Sequence, residues 1–360
     1  MNVKDALEHV PVDPEAEERA WAIVGTAYAR REQARVARRR WPLVVPVAAA
    51  AVVAAATFSS PGRAVVDAVR RTIGVEHAAP ALFRLPAPGR LLVSGAGGTW
   101  VVAADGSKRR LGAYRQASWS PHCLFVVVAG GDMLATVEPA HGTVHWTLSR
   151  PGVLFARWGG TRADTRIAYF SAGHVRVVAG DGTGDVALAR AARVAPAWRP
   201  ETHVVAYATA GGGVAVVDVD SHAVLAVHAA RGARELAWSP DGKQLVAVTP
   251  KFVHIWKSGG SQLTLRLAGV QAIAFARDGR LALLRGRNVF VYGPNDAGNV
   301  FTAPGRLAGL AWSPNGRWIV TSLPSADQWI FIGGRRLRAV LNITRQFGGQ
   351  VFLDGWVPGT

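Results

Sequence analysis

Two hydrophobic patterns divide the chain. Between Trp41 and Gly62, 22 positions pass without a charge, and the core of that run, Pro42 to Phe58, is mostly Ala and Val. A helix rises about 1.5 Å per residue, so roughly 20 such residues cross the hydrocarbon layer of a bilayer. The run predicts a transmembrane helix over 41–60. Pro42 and Pro46 fall in its first turns, where a missing N–H costs little. From about residue 90 the pattern changes to short apolar runs, each closed by Gly, Pro, Asp or Asn. Glu235–Pro240, Gln244–Thr249, Phe252–Lys257 and Gln262–Leu267 are four in succession, and they predict four strands. The last alternates strictly, as a strand with one wet face does.

This four-strand pattern repeats. Leu236-Ala-Trp-Ser-Pro-Asp-Gly-Lys243 returns as Leu310-Ala-Trp-Ser-Pro-Asn-Gly-Arg317. Weaker copies lie at Ala117–Pro121, Phe155–Gly159, Pro196–Pro200 and Ile273–Gly279. The aromatic anchors Trp119, Trp158, Trp198, Trp238, Phe275 and Trp312 stand 39, 40, 40, 37 and 37 residues apart. A period near 40 containing about four strands marks a β-propeller blade. The anchor ends the innermost strand, where Pro-Asp-Gly supplies the turn. Arg90–Ser94, Thr99–Ala103 and Lys108–Gly112 read as three strands of a further blade, and Gln350–Trp356 as a lone strand. Joined, they give an all-β, seven-bladed propeller of four-stranded blades over 90–360. Ala81–Leu85 is the alternative source of the missing inner strand.

The Trp-Ser-Pro-Asp-Gly-(Lys/Arg) motif resembles that of TolB-like and related WD-repeat-like bacterial β-propellers, over about residues 90–356. It departs from true WD repeats: the third strand ends Trp256-Lys257 rather than Trp-Asp, and no Gly-His dipeptide precedes the blades. The resemblance implies a binding platform, often periplasmic or surface-exposed, without naming a ligand.

The flanks orient the apolar run. Arg30, Arg31, Arg35, Arg38, Arg39 and Arg40 precede it, opposed only by Glu32. The denser basic flank stays in the cytoplasm. The expectation is a single-pass protein of a bacterial cell membrane. Its cytoplasmic helical segment spans 1–40, its juxtamembrane helix and linker 61–89, and its propeller is extracytoplasmic. A cleaved signal peptide ending near Ala54-Ala55-Ala56 and a buried helix are the competing readings. In the cytoplasmic segment Asp13 and Pro14 start a helix that places Trp21, Val24 and Tyr28 on one face. Arg63 to Ile73 reads as the second short helix, ended by Gly74.

Composition narrows the chemistry. Hydrophobic residues at 49% and charged ones at 18% exclude a mainly disordered chain. The single cysteine, Cys123, excludes an internal disulfide framework and a Cys-rich zinc site, and reads as a small buried apolar group. The net charge is +17, but Arg supplies 36 of the 41 basic residues. With the abundant Ala and Gly, that is the bias of a GC-rich bacterial genome, so nucleic acid is not an expected partner. The stretch Arg335–Arg338 is a candidate contact for anionic lipid or wall polymer.

Catalytic motifs are missing: no Gly-x-Ser-x-Gly elbow, His-Glu-x-x-His helix or phosphate-binding Gly-Lys-Ser/Thr loop occurs. No cofactor is expected. His141 and His145 have a metal-like spacing but lie between predicted strands. Asp181-Gly-Thr-Gly-Asp185 reads as a hairpin turn rather than a calcium loop. Asn342-Ile-Thr344 fits a glycosylation sequon without meaning in a bacterium. Of the thirteen Trp, the repeat anchors and Trp356 read as core, and Trp100, Trp146, Trp256, Trp318 and Trp329 remain as candidate surface groups. The expected function is therefore a non-catalytic, membrane-tethered platform for a protein, peptide or envelope polymer. Two rivals stand beside it. One is a transmembrane sensor reporting through 1–40, the other an enzyme with its site over the propeller channel.

Overall fold

The computed structural model describes residues 77–79, 84–293 and 297–359. The predicted transmembrane helix (41–60), cytoplasmic segment (1–40) and juxtamembrane helix lie outside them. Among the described residues no helix is long and apolar enough to cross a membrane.

Seven sheets of four antiparallel strands make up the chain from residue 90 onward. Blades 1 to 6 run Gln116–Ser149, Leu154–Arg190, Ala197–Ala229, Glu235–Leu265, Val270–Thr302 and Ala308–Leu341. In blade 4 the strands are Glu235–Trp238, Gln244–Val248, Val253–Lys257 and Gln262–Leu265, each hydrogen-bonded to the next. The first strands of neighbouring blades touch all the way round. Residues 90–357 thus form an all-β seven-bladed propeller, with those strands about its axis.

Burial follows distance from the axis. Second strands are packed on both faces: Val204–Ala208 and Ile319–Leu323 are buried throughout. Fourth strands are wet. Gln262–Leu265 is mostly exposed on both faces, not one, because blades diverge away from the axis and leave the faces of the outermost strand uncovered. Between blades, apolar side chains interleave as in Ala282, Leu284, Leu310, Trp312 and Ile330.

Both chain ends build blade 7. Val351–Val357 pairs antiparallel with Arg90–Gly95, placing Trp356 opposite Leu91 and Leu353 opposite Val93. Leu85 is not a strand; it is buried and donates its N–H to Ala104 O at 3.0 Å. A β-bulge interrupts the closing pair: Leu92 faces Gly355 and Val93 faces Leu353, which leaves Asp354 without a cross-strand partner.

Two expectations need correction. The segment 61–89, expected as a juxtamembrane helix and linker, contains a short strand, His77–Ala79, which adds in parallel to the outer edge of Arg336–Leu341 in blade 6. An outermost strand has unpaired N–H and C=O groups, and this addition satisfies some of them. None of the five Trp kept as candidate surface groups is exposed. Trp256, Trp318 and Trp329 are buried, while Trp100 and Trp146 are half-buried. Trp100, Trp256 and Trp329 stand on third strands, Trp318 in the turn before a second strand and Trp146 on a fourth strand, and each packs into or against an apolar cluster shared between blades.

Candidate functional site

The repeat motif builds a turn and a clamp. In blade 4 the Ser239 hydroxyl donates to Asp241 Oδ1 at 2.6 Å and accepts from the Gln244 N–H at 2.9 Å. In blade 6 Ser313, Asn315 and the Trp318 N–H repeat this at 2.8 and 2.9 Å. Gly242 and Gly316 then take left-handed conformations, with φ of 66° and 64°. The tryptophans clamp adjacent blades. Trp312 Nε1 donates to Ala274 O in blade 5 at 3.0 Å, and Trp198 Nε1 to Arg157 O in blade 2 at 2.9 Å. The Trp198 ring packs directly on Gly159, where a side chain would collide with it. The Arg280 guanidinium lies 4.8 Å from the Trp312 ring while paired with Asp278 at 2.8 Å. Trp198 and Trp312 therefore hold blade to blade, whereas Trp158, Trp238 and Phe275, expected as core, are only half-buried. Cys123 stands at the glycine place of this turn in blade 1, half-buried with φ 60°, so its reading as a buried apolar group is corrected.

An aromatic cleft of about 490 Å³ opens between blades 1 and 2. Phe125, His145, Trp146, Trp158, Arg162 and Asp181 line it. Phe125 meets His145 edge-on at 5.0 Å and stacks on Trp158 at 6.3 Å. Trp146 is held by its Nε1 donating to Gly180 O at 2.9 Å.

The sequence candidates fall beside this cleft. Both histidines turn to Glu138: His141 Nδ1 is 3.1 Å from Oε1, and His145 Nε2 is 3.7 Å from Oε2. Among the described residues no group of three His, Cys, Asp or Glu side chains is arranged to hold a metal ion. Asp181 caps its own turn, accepting from the Thr183 N–H at 2.9 Å and hydroxyl at 2.7 Å. Asp185 turns inward to Arg176 at 2.6 Å, Arg150 at 2.7 Å and the Tyr169 hydroxyl at 2.7 Å. Burial opposes its charge, but the hydrogen bonds from Arg176, Tyr169 and Arg150 outweigh it and hold the carboxyl below its ordinary range. Burial beside that carboxylate pushes the Tyr169 phenol up. The segment is a hairpin turn whose second aspartate ties blades 1 and 2 together. Asn342 precedes the short helix Ile343–Phe347 in a left-handed conformation, and Thr344 is taken up by Asp327.

Two half-buried carboxylates on inner strands escape sequence reading. Glu235 of blade 4 accepts the Ile273 N–H of blade 5 at 3.2 Å. Burial drives its carboxyl up to about 7, against that hydrogen bond and the Arg157 charge. Burial likewise drives Asp354 up to about 7, against Ser94 and the same Arg157. The signal for Asp354 was faint: one acid in the otherwise uncharged strand Val351–Val357.

Residues 298–332 match the family model "WD domain, G-beta repeat", from the last strand of blade 5 into the third of blade 6. No curated protein matches. Among solved structures, a chain in "Crystal Structure of Mitotic Checkpoint Complex" superposes with a TM-score of 0.54 at 18% identity. The match covers 73% of this chain and 95% of that one. A chain of Kuenenia stuttgartiensis hydrazine synthase has a TM-score of 0.46 at 12% identity, covering 61% of this chain and 76% of that one. At such identity the first likeness concerns fold alone, and the second adds nothing to it. The class is a WD-repeat-like β-propeller.

Proposed function

We propose that the propeller is a non-catalytic platform that binds a protein or peptide, held outside the cytoplasm by residues 41–60. The observation that carries this reading is the closed ring itself. Its blades are locked by the tryptophan clamps and by Asp185, so its loops sit on a rigid scaffold. Such scaffolds bind with little ordering cost in the receptor. The aromatic cleft offers one docking place, since Trp and Phe dominate interface energetics. The charge-free run and its arginine flank support the tether.

Photocrosslinkers placed in exposed loops of the full chain, used in intact cells, test the platform. One protein captured from one face, and lost on mutation of that face, supports it. A ring that captures no protein from either face refutes it. A reporter at Thr360 that is active only in the cytoplasm refutes the extracytoplasmic placement.

A further inference from the structure

The ring has two chemically different faces. In an antiparallel blade the turns between first and second strands and between third and fourth lie on one face. Those between second and third strands lie on the other, with the crossings to the next blade. On the first face cations and carboxylates are mixed and paired: Arg280 with Asp278, Arg162 with Glu201, and Arg166 and His203 with Asp164 and Asp220. On the crossing face every one of the seven crossings carries an arginine. Arg150 is turned inward to Asp185. The other six, Arg115, Arg193, Arg231, Arg266, Arg306 and Arg345, are all exposed, and none is ion-paired among the described residues. The carboxylates in this face's loops are already engaged. Asp132 accepts the Gly152 N–H at 2.7 Å, and Asp327 holds the Thr344 N–H at 2.8 Å. Phe352, at the start of the closing inner strand on this same face, is 68% exposed.

We infer that the crossing face docks an acidic protein segment, its carboxylates meeting the arginine ring and an apolar side chain meeting Phe352. This deepens the platform reading and rests on it. Arginine's planar fork suits carboxylates, and Arg and Phe are enriched at interfaces where an apolar anchor is ringed by polar contacts. The cations are spaced singly, one or two per crossing, unlike the contiguous basic clusters that bind lipid headgroups. Single-stranded nucleic acid calls for successive aromatic platforms, whereas Phe352 stands as one ring on one inner strand.

The test compares two charge reversals of the full chain. One is Arg193→Glu, Arg231→Glu, Arg266→Glu on the crossing face; the other is Lys243→Glu, Arg317→Glu, Arg335→Glu on the opposite face. All six positions are exposed loop residues, so the fold is retained and unfolding curves verify it. The probe is a synthetic Glu-rich peptide with a central Leu, titrated at low and physiological salt. The first triple should weaken binding by about tenfold or more and flatten the salt dependence, and the second should leave it nearly unchanged. Phe352→Ser should weaken binding without altering the salt slope. Equal loss in both triples overturns the inference. So does a wild type that ignores the peptide but binds anionic vesicles or polyphosphate through the same arginines. A crosslinker at Arg231 and another at Lys243 separate the two levels of the argument. Protein captured at Lys243 alone overturns this face and leaves the platform standing. Protein captured at neither overturns the platform itself.

Discussion

Cys123 occupies a backbone position that its sister turns give to glycine. Its φ of 60° matches Gly242 and Gly316, at 66° and 64°. A side chain in the left-handed region costs about 1–2 kcal/mol, partly offset by the unfolded-state entropy that glycine adds. Cys123→Gly is therefore expected to stabilise the protein by about 0.5–1 kcal/mol. A denaturation midpoint that stays the same or falls would contradict this. Glu235 and Asp354 show another local cost. Their carboxyls stand near 7 in the folded chain, above their values of 4.5 and 3.8 in water. The folded state thus holds protons that the unfolded chain has released, and stability falls as pH rises through about 4 to 7. Glu235→Gln keeps an acceptor for the Ile273 N–H and removes the charge. Its midpoint should exceed wild type at about pH 8 and fall less between about pH 5 and 8. Wild-type pH dependence in the variant would show that the carboxyl is solvated. The turn position of Cys123 is legible in Trp119-Ser-Pro-His-Cys set beside Trp238-Ser-Pro-Asp-Gly. Its half-exposure was hidden, because exposure depends on the neighbouring blade.

At the scale of strands and turns, a short motif carried the legible information. Trp-Ser-Pro-Asp-Gly specifies its own turn, since Ser239 and Asp241 bond within a few residues of one another. The four strands of blade 4 were legible for the same local reason. What sequence could not supply was the role of third-strand and hairpin aromatics. Trp256 and Trp318 look alike on paper to exposed residues, yet blade packing buries both. The strand at His77–Ala79 was invisible too, because its partner lies in blade 6, far along the chain. Trp312 tests the clamp. It is buried and reaches across to Ala274 O. Trp312→Ala should cost about 3–5 kcal/mol. Trp312→Phe keeps most of the apolar area and loses this interblade hydrogen bond, so it should cost about 0.5–1.5 kcal/mol by calorimetry. Trp238 is only half-buried, with Arg199 5.6 Å from its ring, so Trp238→Ala should cost less than Trp312→Ala. Equal losses at both positions would contradict the clamp.

On the scale of the whole molecule, one strand decides whether seven sheets make a ring. Blades 1 to 6 are continuous in sequence, but blade 7 holds only Arg90–Gly95, Gly98–Val102 and Lys108–Gly112 until Val351–Val357 arrives. Closing a loop of that length costs entropy that grows only slowly with length, so the return is repaid by a single well-packed strand. Leu91, Leu92 and Val93 are fully buried under it, and Trp356 packs edge-on to Phe331 at 5.8 Å. That contact also joins blade 7 to blade 6. Deleting residues 349–360 should expose the Arg90–Gly95 edge and both flanking inner strands, lowering the stability of the entire ring and promoting association through the open edge. Trp356→Ala should show the same defect in milder form, at about 3–5 kcal/mol. Removing Pro358–Thr360 alone should leave the midpoint unchanged, because the strand ends at Val357. A synthetic peptide of the closing strand should restore cooperative unfolding when added to the deleted chain, since ladder pairing and the Trp356 contact need no covalent link. If the deletion variant unfolds at the wild-type midpoint, the other six blades hold the ring without closure. If the peptide fails to rescue, the closing strand acts only when its entropy cost is reduced by the tether from blade 6.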